Sequence, residues 1–141
     1  MLGVCKTVPG VVSELWGLNE YLQEFWVTQA LPPAAVFPFE LALEEVFMNV
    51  VMHGTTEHLI PEVAVGLDCQ GGEVTLRMED TGPAFNPDDA PPPDLDTPLE
   101  DRRIGGLGIH LLREMMDDFT YVHEDGRNKL RLSKRITLTD D

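Results

Sequence analysis

Apolar positions recur along this chain with two distinct periods, and together they divide it into helices and paired strands. Leu15, Leu18, Leu22, Phe25 and Trp26 share one face at the helical period. The spacing predicts a helix opened by Ser13 as its N-cap and stopped at Leu31-Pro32-Pro33. Phe39, Leu43, Val46, Phe47 and Val50 form a second helical stripe, in a run from about Phe39 to His53 that Gly54 closes. Val63, Val65, Leu67 and Cys69 then alternate, as do Val74, Leu76 and Met78, with Gly71-Gly72 between the two runs. That pattern predicts a hairpin. A third helix follows Gly108, with Leu111, Leu112, Met115 and Met116 as its inner face. Strands near Thr120–His123 and Lys129–Ile136, joined by a turn at Asp125-Gly126, end the series. The order is helix, helix, hairpin, loop, helix, hairpin. Strands grouped in pairs predict an α+β two-layer sandwich rather than alternating βαβ units.

The loop interrupts this regularity. After Pro83 it holds five more prolines (87, 91, 92, 93, 98) and six acids before residue 105. No periodicity survives there, and such a loop inside a compact domain is usually functional or disordered. A length of 141 residues with 43% hydrophobic content suits one domain with a single core, spanning residues 1–141. The net charge of −15 argues against a nucleic-acid backbone or an anionic membrane surface as partner, since both need clustered positive charge. A basic protein patch suits it better. No apolar stretch reaches the ~20 residues of a membrane span. The N-terminal MLGVCKTVPG lacks a signal peptide's apolar run and cleavage site. Cys5 and Cys69 are isolated, which indicates neither a zinc site nor a disulfide scaffold, and a reducing cytoplasm is the expected compartment.

Three motifs carry candidate chemistry. In the second helix Glu45, Asn49 and His53 are spaced four apart, so they form one narrow stripe beside the apolar stripe, while Glu44 projects toward water. A semi-buried polar edge needs a ligand, a metal or internal partners. The second motif is Asp80-Thr81-Gly82-Pro83-Ala84-Phe85. Period-2 alternation carries Asp80 onto the buried face of Val74, Leu76 and Met78. Either a purine's exocyclic amine or a backbone turn can supply the donor that a buried carboxylate requires, and Gly82 permits a close approach or a positive φ. The third motif is Gly105-Gly106-Leu107-Gly108 running into a helix. It is either a hinge or a phosphate site built from free N–H groups at the helix start. His53 and His58 have no further ligands at metal-binding spacing.

In this order, with this loop between the last two, the motifs resemble the ATPase superfamily of gyrase B, MutL and histidine kinases. Within it the chain looks like the bacterial anti-sigma-factor serine/threonine kinase family. Further stretches carry the likeness: the LPP turn before LALEEVFMNVVMHG, DTGPAFNP, GGLGIHLLREMMDDFTY and GRNKLRLSK. The resemblance covers roughly Ser13 to Ile136. It implies a histidine-kinase-type fold, a mixed and largely antiparallel sheet with helices on one face, and residues 86–104 as a mobile ATP lid. It implies ATP and Mg²⁺ as cofactors. Asn49 looks like the Mg²⁺ ligand, Glu45 the general base, and Asp80 the acceptor of the adenine amine beside Gly82. Gly106, Leu107 and Gly108 look like the phosphate-binding turn. One departure from the family stands just before that turn: Ile104 takes the place of a basic or hydroxyl residue, with Arg102-Arg103 ahead of it. The implied activity is phosphorylation of an anti-anti-sigma protein by a cytoplasmic homodimer that also holds a sigma factor. An ATP-binding adaptor or anti-sigma protein without transfer activity is the alternative. A detached histidine-kinase catalytic domain fits less well, because no helical hairpin with a phospho-acceptor His is read ahead of the motifs.

Overall fold

A computed structural model describes residues 5–54, 58–84 and 106–136, the last segment as backbone alone over 106–109. The chain runs β1 (Cys5–Pro9), a 3-10 turn (Val12–Glu14), α1 (Leu15–Thr28), a second 3-10 turn (Pro33–Ala35) and α2 (Phe37–Gly54). Then follow β2 (Glu62–Gln70), β3 (Glu73–Asp80), α3 (Gly106–Met115), β4 (Asp118–Glu124) and β5 (Arg127–Arg135). The strands form one sheet in the order β1-β2-β3-β5-β4, and all four pairings are antiparallel. This α+β sandwich is the expected fold, with the sheet antiparallel throughout. The expected lid, residues 86–104, lies outside the described residues, as do Phe85, Arg102, Arg103 and Ile104.

Alternation fixes which face of the sheet is covered. Val63, Val65 and Leu67 on β2, Val74, Leu76 and Met78 on β3, and Leu130 and Leu132 on β5 are all buried. They meet Leu18, Leu22 and Trp26 of α1 and Phe39, Leu43, Val46, Phe47 and Val50 of α2 in a single cluster. Trp26 joins the two helices: its ring lies 5.4 Å from Phe39, and its indole N–H donates to the Pro32 carbonyl at 2.8 Å, which fixes the LPP turn. Both hairpin turns have left-handed central residues, Gly71-Gly72 (φ 58 and 83) and Asp125-Gly126 (φ 56 and 73). Two positive φ values in a row match the twist of the flanking strands, which is why glycine or Asp-Gly stands there.

Several expectations need correction. β1 is an added edge strand beside β2; with Val8 its one buried apolar side chain, it carries no alternation to read. Ser13 makes no capping hydrogen bond, because Val12–Glu14 wind as a 3-10 turn that leads into α1. Gly54 ends α2 without a positive φ, so a left-handed cap is not its role. α3 begins at Gly106, not after Gly108, which places both glycines in its first turn. Of the expected inner face, Leu112 is buried in the helix and Met116 just past its end, while Leu111 is 38% exposed. No helix among the described residues is long and apolar enough to cross a membrane.

Candidate functional site

Two of the three motifs meet in a cleft between the last turns of α2 and the ends of β3, β4 and β5. Val46, Asn49, Val50, His53 and Gly54 form the helix wall; Met78, Asp80 and Pro83 form the β3 side, and Tyr121, Asn128 and Leu130 close it. The enclosed part measures about 30 Å³. Drug-sized ligand pockets run to about 300–1,000 Å³, so a purine bound here occupies the open mouth as well. The apolar walls suit a flat ring, and the polar groups are few and converge, as in small-molecule sites generally.

α2 sets the polar stripe as its spacing dictates. Asn49 is 6% exposed, Glu45 is half-buried one turn earlier, and Glu44 faces water. Among the described residues no hydrogen bond reaches the Asn49 carboxamide, which borders the cleft. His53 is exposed at the mouth. Glu45 does not line the cleft; it lies about 6 Å farther along the helix axis from Asn49. The stripe therefore runs away from the Asp80 end of the cleft.

Asp80 ends β3 on its core face and is 7% exposed. Its Oδ1 accepts two hydrogen bonds at 2.9 Å, from the Gly82 N–H and from the Asn128 side-chain amide. Burial pushes the carboxyl above its ordinary pKa, while these two donors and the nearby His123 pull the other way. Of the two alternatives left open by the sequence, the turn is the one the structure shows: Asp80 caps it through Oδ1, while among the described residues Oδ2 receives no hydrogen bond.

Gly82 serves close approach within the protein. A Cβ there would lie 3.0 Å from Asp80 Oδ1 and 3.4 Å from both the Gly54 Cα and the Pro61 Cγ. Thr81 ties the turn to β2: its N–H donates to the Glu62 carbonyl at 3.2 Å, and its hydroxyl accepts from the Glu62 N–H at 2.9 Å.

Sequence reasoning missed Asn128, Tyr121, His123 and Thr81. Asn128 stands directly opposite Asp80 in the β3–β5 register and opposite His123 in the β4–β5 register. Its Nδ2 donates to Asp80 Oδ1, to the Pro83 carbonyl at 2.8 Å and to the Gly82 carbonyl at 3.3 Å. Its Oδ1 accepts from the Tyr121 hydroxyl and lies 3.2 Å from His123 Nδ1. A signal existed: period 2 along Asn128, Leu130 and Leu132 places a carboxamide on the core face, where it needs partners.

Gly106, Leu107 and Gly108 form the first turn of α3, which packs on α2. The first N–H groups of such a turn have no partner within the helix. No group of three or more His, Cys, Asp or Glu able to hold a metal occurs among the described residues.

The histidine kinase-like ATPase domain family matches residues 13–134 of this chain. Over 97 residues the chain is 33% identical to the serine/threonine-protein kinase BtrW of Bordetella bronchiseptica, across 69% of this chain and 68% of that protein. Over 95 residues it is 26% identical to the serine-protein kinase RsbW of Bacillus mycoides, across 64% of this chain and 59% of that kinase. The crystal structure of the RsbU and RsbW domains of a Mycobacterium tuberculosis protein has a TM-score of 0.63 at 14% identity, covering 95% of this chain and 33% of that one. Likeness at that identity speaks for the fold alone.

Proposed function

We propose an activity on one premise: the chain belongs to the histidine kinase-like ATPase family, as an anti-sigma-factor kinase within the gyrase B, histidine kinase and MutL superfamily. On this reading it is a serine/threonine protein kinase that uses Mg-ATP to phosphorylate an anti-anti-sigma protein. The observation that carries the reading is the cleft joining Asn49 to Asp80, each buried and each with a polar atom that no described residue pairs.

Adenine lies at the Gly54 end of α2, where Asp80 Oδ2 accepts its exocyclic amine between the apolar walls. The phosphates then extend along the helix toward Asn49 and Glu45, and the first turn of α3, at Gly106, Leu107 and Gly108, offers them free N–H groups. A carboxamide oxygen without a partner fits a hard cation that keeps several waters, so Asn49 is the residue that would hold Mg²⁺. When bound, the ion neutralises charge on the phosphate oxygens. Glu45 accepts the proton of a substrate Ser or Thr hydroxyl. The hydroxyl oxygen forms the bond to the γ-phosphorus as the bond to the β–γ bridging oxygen breaks, and ADP leaves. Positioning and charge carry such a transfer, which asks no nucleophile of the protein.

The acidic chain, with a net charge of −15, also suits a sigma factor's basic surface, and a cytoplasmic homodimer is the assembly that the family likeness implies. The chain mixed with γ-labelled ATP and candidate antagonist proteins tests the activity. Label on a Ser or Thr of one antagonist supports it. Nucleotide binding with no transfer to a cognate antagonist favours the adaptor reading instead.

A further inference from the structure

We infer that Asn128 is the specificity-determining residue of the base site: by occupying one oxygen of Asp80 it leaves a single acceptor, which fits adenine and excludes guanine. The inference rests on the ATP-site reading above and adds a discrimination that Asp80 alone does not provide.

A free carboxylate presents two oxygens in one plane. Guanine offers it two adjacent donors, N1–H and the 2-amino group, and a bidentate pair uses both oxygens. Adenine offers one donor on that edge, the 6-amino group, beside the acceptor N1. A bare buried Asp therefore does not reject guanine. Here Oδ1 is already saturated by the Gly82 N–H and the Asn128 amide, each at 2.9 Å. Only Oδ2 remains without a donor among the described residues. A guanine base would find one donor matched at Oδ2 and the other facing an oxygen that already accepts two hydrogen bonds.

The arrangement depends on which way the Asn128 amide faces, and its neighbours settle that. Three oxygens surround Nδ2: Asp80 Oδ1, the Gly82 carbonyl and the Pro83 carbonyl. On the other side the Tyr121 hydroxyl donates to Oδ1, and His123 Nδ1 lies 3.2 Å away. A flipped amide would set its oxygen against three acceptors. The amide thus cannot turn to offer Asp80 an oxygen. Asn128 also holds the turn through Gly82 and Pro83, so it sets both the acceptor count of Asp80 and the height of the cleft wall. It acts through Asp80 and is a positioning residue.

The test compares three nucleotides on the full chain with magnesium: ATP, GTP and purine riboside triphosphate, which lacks the exocyclic amine. Wild type should prefer ATP over both of the others by on the order of tenfold or more, the worth of a hydrogen bond to a charged group. Asn128→Leu should bring the ATP:GTP ratio close to one and also shrink the ATP advantage over the amine-less nucleotide. Tyr121→Phe removes one donor that orients the amide and should move both ratios the same way by a smaller factor. A role confined to folding would lower all three affinities together and leave the ratios alone. Unchanged ratios in a folded Asn128→Leu overturn the inference. If that variant does not fold, unchanged ratios in Tyr121→Phe overturn it. Wild type that binds ATP without preferring it over GTP sinks this inference and spares the ATP site; wild type that binds none of the three sinks both.

Discussion

Gly54 and Gly82 pack against each other. A Cβ on Gly82 would lie 3.4 Å from the Gly54 Cα, and a Cβ on Gly54 would meet the Pro61 ring at 2.9 Å. The end of the Asn49 helix and the turn that carries Asp80 are thereby held in contact, with no side chain between them. This contact sets the distance between the two motifs and hence the width of the cleft.

Gly54→Ala therefore tests the spacing. Alanine favours a helix over glycine by about 1 kcal/mol, less at a helix end. Overpacking a rigid neighbour costs about 1–3 kcal/mol, and a proline ring has little freedom to move aside. The expected outcome is a lower midpoint in urea with an unchanged slope, together with weaker ATP binding. A stabilised variant with wild-type affinity would show that the contact yields easily.

The Asp80 carboxyl titrates with a definite sign. Burial raises its pKa in the folded state above its unfolded value, so the folded chain holds this proton more tightly. The resulting stabilisation is complete below the unfolded pKa of about 4 and is lost as the pH rises through the folded value. Asp80→Asn removes this titration while keeping an oxygen for Gly82 and Asn128. In nucleotide-free protein, the stability of wild type relative to Asp80→Asn should fall as the pH rises from about 4. Paired thermal melts across that range measure it, and a difference that is flat or grows with pH would contradict the buried-acid account.

Asn49 should separate function from stability. The Asn49 carboxamide borders the cleft and makes no hydrogen bond among the described residues. Asn49→Ala should change folding stability by no more than about 1 kcal/mol, because no hydrogen bond within the protein is lost. It should weaken ATP binding in magnesium and leave magnesium-free binding nearly unchanged. Calorimetry with and without EDTA reads the two arms. Equal losses in both would give Asn49 a role in shaping the cleft and not in holding a metal.

Glu45→Ala should spare most ATP affinity and slow transfer to the antagonist by ~10²–10⁴, the usual contribution of a general base. Its place one turn beyond Asn49, outside the cleft that Asp80 lines, predicts this split. Transfer at the wild-type rate would assign the proton to another group.

The sequence shows most clearly the parts where a strong period and a strong penalty coincide. The α2 stripe from Phe39 to Val50 is buried as its spacing requires, and Asp80 is buried where alternation carries it. Local signals were weaker where a competing geometry won. Ser13 is a common cap residue, but the chain there winds into a 3-10 turn. Val8 is the one core residue that β1 supplies, and a single apolar position gives no period. Leu111 and Leu112 are equally apolar, and only packing of α3 on α2 distinguishes them. Asn128 was overlooked for a different reason. It belongs to no glycine box and no helix cap, and its meaning comes from standing across the sheet from Asp80, a partner 48 positions away. Register of that kind is a property of the folded sheet, whereas the spacings of the three motifs are local.

The most direct test of the account is calorimetric titration of wild type and Asp80→Asn with Mg-ATP. The account predicts a saturable one-to-one heat for wild type and a thermal stabilisation of about 2.7 kcal/mol at a hundredfold excess over the dissociation constant. For a folded Asp80→Asn it predicts affinity lower by on the order of tenfold or more, since a charged acceptor for the adenine amine is lost. The contradicting result is a wild type that shows no heat and no stabilisation at millimolar nucleotide and magnesium, or one whose affinity Asp80→Asn leaves unchanged.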